Sequence, residues 1–401
     1  MADLNHIRQI RGGTAIWNQW REKNPTEAID LSKLDLRDAQ LQEANLCNVD
    51  LSQVNLSCAD LSYADLDGAN LSHANLSQTN LSNASLTGAN LSSANLTDTI
   101  FNYADVRDAI FRRTNLGSAQ LIDVVISSAN LSHVDFKDSN FSGENFQNAN
   151  LVGSNFSGAN LNGANLSGAN LTQACFIGSK LVGANLSGAN LKSANLSGAN
   201  LTKADLIGAK LVYASFRGAI LNRANLSNAL LSQANLSLAG CVMANFSEAL
   251  LDAANLSKAN LGGVIFSGAS LIGVDLSDAY LSDAFLSVAN LSEANLSGAN
   301  LSNTYAYKAN LNRVNLERSN LSYASFLEAD FSMAVLTHAN LSKSQLVGIY
   351  ADSADFSMAN MEGANFSKAN LTMANLYGSI LTLINLTDAI MPDGLIGVKM
   401  R

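Results

Sequence analysis

Residues 181–205 read LVGANLSGANLKSANLSGANLTKAD. Five units of five residues follow one another, each centred on a leucine such as Leu181, Leu186 or Leu191. A five-residue period matches neither the 3.6-residue turn of an α-helix nor the two-residue alternation of a flat strand. Each unit must therefore hold a short extended piece followed by a corner.

The phase extends far beyond this window. Stepping by five from Leu31 to Met391 passes through 73 centres without an insertion or deletion, and 66 of them are Leu or Phe. The exceptions are Val106, Ile126, Cys241, Ala306, Ala351, Met361 and Met391. With the centre called i, position i−2 is usually Ala, i−1 mostly Asn or Asp, i+1 mostly Ser and i+2 often Gly, a consensus of A(N/D)LSG. The large residue at i and the small one at i−2 point inward, the polar positions point outward, and Gly, Asn and Ser supply corner chemistry. Repetition at a fixed period means that coils stack and bury one continuous core.

On these residues the chain resembles the pentapeptide-repeat family over about nine-tenths of its length. The resemblance implies an all-β fold, a right-handed quadrilateral (four-sided) parallel β-helix solenoid with four units, hence 20 residues, per coil. About 18 coils at roughly 4.8 Å each would make a rod roughly 85 Å long. Residues 20 apart should then stack, which predicts ladders of Phe136, Phe156 and Phe176 and of Phe246 and Phe266. The expected domains are a helical cap at 1–28, the β-helix at 29–391 and a tail at 392–401. In GTAIWNQWREKNP (13–25), Thr14 is placed to N-cap a short helix presenting Ile16, Trp17 and Trp20, with Pro25 beyond its end. A Trp-containing helix feeding into the repeats resembles family members from photosynthetic bacteria. The terminal AIMPDGLIGVKMR resembles the PDG tail that closes several relatives, and is too short for the helical dimerisation segment of topoisomerase-binding members.

Composition narrows the function. Apolar residues make up 47% and charged residues 14%, which excludes a disordered chain. No run of 18 apolar residues and no secretory leader is visible, so the expected location is the cytoplasm. Cys47, Cys58, Cys175 and Cys241 are scattered without CxxC spacing and read as free thiols. The many Asn-Leu-Ser triplets are by-products of the repeat. His6, His73, His133 and His338 are isolated, and no HExxH, GxSxG, phosphate-loop or dinucleotide motif occurs. We therefore expect no enzyme activity, no cofactor and no metal. Glu144 at an inward i−2 position is expected to distort its coil locally or to be a hydrogen-bonded structural acid. Ala306 and Ala351 leave small centres, each preceded by a tyrosine, Tyr305 or Tyr350, that would turn inward or make its coil bulge.

Charge weighs against a DNA mimic of the kind that engages type II topoisomerases, the alternative function. Duplex DNA carries one negative charge per about 1.7 Å, whereas the net charge of −9 spread over the expected rod is one per roughly 9 Å. Residues 30–67 hold eight acids against Lys33 and Arg37, yet between Asn145 and Ser247 Asp205 is the sole acid, beside Lys180, Lys192, Lys203, Lys210, Arg217 and Arg223. Nucleic acid and membrane are not expected partners. The sharper feature is a departure from the polar i−1 rule: Ile265, Phe285 and Tyr305 occupy it at 20-residue intervals, with Tyr307 flanking the same face and Tyr280 on the neighbouring one. Leu230 and Leu250 form a smaller pair of this kind. An exposed aliphatic and aromatic stripe marks an interface. The expected function is a non-catalytic interaction or structural scaffold whose partner is a protein, with self-association through the stripe also open.

Overall fold

The computed structural model describes residues 3–116, 118–121 and 124–397. The i−1 residues pair through parallel bridges twenty residues apart: Asp30 with Asp50, Asp35 with Asn55, Gln40 with Asp60, Asn45 with Asp65, and onward in the same register. Four bridges per twenty residues give each coil four sides. Two compact units, Met1–Ala194 and Asn195–Arg401, are each built this way.

The backbone of each pentapeptide is satisfied by the coils before and after it. At one side, Leu51 N–H donates to Asn70 O (2.8 Å), Gln53 N–H to Ser72 O (2.9 Å) and Asn75 N–H to Val54 O (2.8 Å). The corner closes on itself, as where Ala44 N–H donates to Leu41 O at 3.1 Å. That turn needs a left-handed residue at i+2, such as Glu43 at φ 59° or Gly168 at φ 66°. Glycine is frequent there because it adopts this backbone without a Cβ penalty.

The core is filled as the pattern dictates, with centres and i−2 residues buried together. Phe156 stacks on Phe136 at 4.8 Å and on Phe176 at 5.0 Å, with ring planes 16° and 5° apart, and Phe246 lies 5.1 Å from Phe266. The expected aromatic ladders are present. Several hydroxyls at i−2 donate to neighbouring carbonyls: Thr79 Oγ1 to Leu56 O and Ser154 Oγ to Leu151 O, both at 2.7 Å, whereas the Ser139 hydroxyl is buried without a partner. Glu144 is half-buried, its N–H donates to Phe141 O at 3.2 Å, and its carbonyl accepts from Asn165 N–H at 2.9 Å. Asn145 keeps its bridge to Asn165, but among the described residues no bridge joins it to Val125, so the ladder is locally interrupted on the side of the preceding coil. All four cysteines are free thiols, and burial pushes the Cys241 thiol up to about 12.

The polar i−1 residues do more than face water. Asn75 Nδ2 donates to Asn55 Oδ1, and Asn95 Nδ2 to Asn75 Oδ1, each at 3.0 Å. The same Asn55 oxygen also accepts from Ser57 N–H at 3.2 Å, pinning its own corner. An aspartate can accept in this ladder but cannot donate. Accordingly Asp35, Asp60, Asp135, Asp275 and Asp355 each accept from the asparagine twenty residues later, at 2.9–3.2 Å.

The amino-terminal helices are α1 (Leu4–Arg11) and α2 (Thr14–Lys23). Two details of the sequence reading change. Gly13, not Thr14, is the N-cap of α2; Thr14 is the first helical residue, and its hydroxyl donates to Gln40 O of the first coil. Ile16 faces solvent, while Trp17 is fully buried and Trp20 partly so. At the other end the chain turns back after Pro392: Ile390 and Ile396 form an antiparallel bridge, and Gly397 N–H donates to Ala389 O at 2.7 Å. The remainder of the expected tail, 398–401, lies outside the described residues.

The ladder has an acid limit. Side-chain and backbone hydrogen bonds from Arg107 hold the Asp105 carboxyl below the usual range, and those from Ser32 do the same for Asp30. For Asp60, burial pushes upward, but Ser62, Gln42 and Asn80 donate to the carboxylate and bring the net shift down. Folded values below the unfolded one, about 3.9, mean that this stabilisation is complete above that pH and is lost as pH falls through the folded values. The melting temperature should hold steady down to about pH 5 and then fall as pH drops below about 4. A melting temperature unchanged down to about pH 2.5 would contradict this origin.

Candidate interaction surface

Because i−1 side chains alternate outward between two buried positions, replacing Asn there puts apolar surface in water. Ile265 bridges Phe285, and Phe285 bridges Tyr305. The Phe285 and Tyr305 rings stack at 5.5 Å and 12°, so each covers a face of the other and the ring edges are left to solvent. Phe285 and Tyr305 are 43% and 53% exposed, and Ile265 is half-buried. Tyr307, also exposed, lies just past the centre Ala306, with Lys308 Nζ 5.2 Å from its ring centroid. Hydrogen bonding to Tyr307, then to Glu328 at 3.4 Å, raises the Lys308 pKa. Tyr280 is exposed but bridges Asn260 and Asn300, which places it on the preceding side and outside the column. Leu230 and Leu250 also bridge each other, with Leu250 exposed.

Two members of this surface are missed when only i−1 is inspected. Val288 (63% exposed) donates its N–H to Tyr307 O at 2.8 Å, and Leu327 (38% exposed) accepts at its carbonyl from Lys308 N–H at 2.9 Å. Their signal is apolar residues at i+2 and i+1, where Gly and Ser are the rule.

Neither small centre draws its tyrosine inward. Ala306 and Ala351 are fully buried, while Tyr305 and Tyr350 are exposed. The bridges of Tyr305 to Ser325 and of Tyr350 to Asn370 are kept, so the coils do not bulge either. The core answers small with large: Phe326 stands twenty residues after Ala306 and Phe331 twenty before Ala351, and these two buried rings meet edge-on at 5.2 Å. With Phe326 using that space, Tyr305 is left outside.

Catalysis needs groups that converge in a cleft. The described residues hold no group of three or more His, Cys, Asp or Glu side chains placed to bind a metal ion. A cavity of about 470 Å³ beside the tail is lined by Leu386, Met391, Pro392, Leu395 and Ile396, with Asp393 as its sole carboxylate. A lone carboxylate lacks the second group that acid–base chemistry needs. A void of about 10 Å³ among Val106, Phe111, Ile126 and Phe136 is apolar and offers a water no polar side chain to bond. The acids of residues 30–67 occupy all four bridge columns, with Asp30 and Asp50, Asp35, Asp60 and Asp65 each in a different one. They form no continuous track. No described helix is long and apolar enough to cross a membrane.

The sequence matches the family model for pentapeptide repeats over 35–72, 64–102, 74–113, 169–206, 199–237, 242–268, 269–305, 309–348 and 344–382, and the pentapeptide repeat region model over 108–186. The chain belongs to the pentapeptide-repeat family. The family's right-handed quadrilateral β-helix is the fold whose four bridges per twenty residues are described above. Among solved structures, it is similar to HetL, a pentapeptide repeat protein involved in heterocyst differentiation regulation in Nostoc sp. strain PCC 7120. That match has 34% identity and a TM-score of 0.31, covering 65% of this chain and 93% of HetL. A pentapeptide repeat protein of the Arabidopsis thaliana thylakoid lumen is 36% identical, with 26% of this chain and 70% of that one covered at a TM-score of 0.21. QnrB1, a plasmid-mediated fluoroquinolone resistance protein, is 22% identical over 42% of this chain and 80% of its own, at a TM-score of 0.20. No curated protein matches.

The large-beside-small packing is directly testable. Ala306→Leu adds three carbon atoms to space that Phe326 already uses, and overpacking of this sort costs about 1–3 kcal/mol. Denaturant unfolding should show a loss of that size. No loss would mean that the Ala306 centre is a void.

Proposed function

We propose that this pentapeptide-repeat protein is a non-catalytic scaffold that binds another protein through the apolar surface around Phe285 and Tyr305. The single observation that supports the reading is the stacked, solvent-exposed pair at i−1, a position where Asn otherwise carries the ladder. The side-chain ladder is given up there, and exposed aromatic side chains supply contact area at low entropy cost. In this reading residues 1–28 close the solenoid, residues 29–391 display its surfaces and 392–401 form a tail. Tyr307, Leu327 and Val288 widen the contact, and Ile265 and Tyr280 lie at its margin.

Phe285→Asp with Tyr305→Asp tests it. Both side chains face water, so the fold should survive with its circular dichroism unchanged. Recovery of bound protein by affinity capture from the native cell should drop at least about tenfold, the ratio given by roughly 1.4 kcal/mol. Equal recovery by the double variant and the unaltered chain would overturn the assignment.

A further inference from the structure

The helical pair holds the first coil by imitating a coil that is not there. Asn45 offers both its backbone groups to α2: its carbonyl accepts from Trp17 Nε1 at 2.8 Å and its N–H donates to Asn18 Oδ1 at 2.9 Å. Asn18 Nδ2 donates to Glu43 O and Arg21 Nη2 to Cys47 O, both at 2.9 Å, and the Thr14 hydroxyl to Gln40 O at 3.2 Å. In later coils the N–H and carbonyl at i−1 and the carbonyl at i+1 are taken by backbone of the preceding coil, as at Asn75 N–H, Asn70 O and Ser72 O. Every one of these α2 contacts falls on residues 40–47, which span two sides of the first coil and the corner between them.

The grip is also imperfect. A cavity of about 350 Å³ lies between the helices and the coil, lined by Ile10, Arg11, Gly13, Leu36 and Leu41 among others. His6 Nδ1 and Arg21 Nε are buried without a protein partner, although His6 Nε2 meets Glu27 Oε1 at 3.0 Å. Buried orphan groups of this kind are costly. Gly13 joins α1 to α2 at φ 97° with open space around it, and α2 has no side-chain cap. Few buried contacts and unpaired polar atoms define the parts of a protein that open first.

We propose that α1 and α2 form an autoinhibitory guard that opens as a unit ahead of the coils and, when open, frees Asn45 to pair with the Asn45 of a second copy. Asn45 sets the geometry. Its N–H and carbonyl, released from Asn18 and Trp17, are the two groups that one residue exchanges with its twin across a twofold antiparallel pair. An unguarded edge is a template for such pairing.

Native-state hydrogen exchange of the full chain in rising, sub-denaturing urea tests the opening. Amides of Leu4–Lys23 and the Asn45 amide should exchange together, at least about 100-fold faster than those of residues 51–116 and with a weaker urea dependence. Exchange of the helices only alongside the coils would overturn the proposal, as would an Asn45 amide as slow as its coil neighbours. Asn18→Ala with Arg21→Ala should raise the opened population and, while circular dichroism still reports the folded coils, shift the solution mass toward twice that of the unaltered chain at equal concentration. A folded double variant of unchanged mass would overturn the edge-pairing half. If that variant does not fold, Thr14→Ala, which removes only the Gln40 contact, should still speed the shared exchange of α2 and Asn45; no change there would overturn the guard.

Discussion

Everything in this structure depends on the backbone hydrogen bonds between residues nineteen and twenty-one apart, which flank each bridge. They are local in direction but not in sequence: Leu51 reaches Asn70, and Asn75 reaches Val54. A single coil has no one to bond to, so a coil exists because its neighbours do. The asparagine ladder adds a second set of bonds along the same axis, from side chain to side chain. One oxygen serves both the rung above and the corner beside it, which is why i−1 accepts Asn or Asp and little else where the ladder runs.

This constraint leaves the inside and the outside with different freedoms. Inside, volume is shared along a column, so that small Ala306 is tolerated where Phe326 follows. Outside, a residue that quits the ladder loses its side-chain rungs and its bond to the corner but keeps its backbone bridge, as Phe285 and Tyr305 do. Function can thus be written on the surface at little cost to the fold. The place to look for it is where the ladder is interrupted, and the stacked rings are such a place.

The fold was legible because one period ran from Leu31 to Met391, and the Phe136, Phe156 and Phe176 column followed from it by counting. The column of Ile265, Phe285 and Tyr305 was legible for the same reason. Other features were hidden by what counting cannot see. Val288 and Leu327 join the surface around a corner, so their proximity depends on how i+1 and i+2 project. The fate of Tyr305 and Tyr350 was set by rings one coil away. Thr14 looks like a helix cap in one dimension, but its hydroxyl is taken by Gln40 O of the first coil, a contact that no local pattern shows. The donor-to-acceptor direction of the ladder, which explains where Asp may stand, needs side-chain coordinates.

The claim at the centre is that residues twenty apart adjoin on one side of a four-sided coil. Cysteines placed at Asn235 and Asn255, which bridge each other, test it most directly in a chain whose native cysteines are replaced by alanine. Their Cα atoms should be separated by about 4.8 Å, within the roughly 4.4–6.8 Å that a disulfide spans. Under mild oxidant this pair should close nearly completely in the folded protein, whereas Asn235 paired with position 250 or 260, on adjoining sides, should not. Efficient closure at fifteen or twenty-five residues, or none at twenty, would contradict the register on which the structure is built.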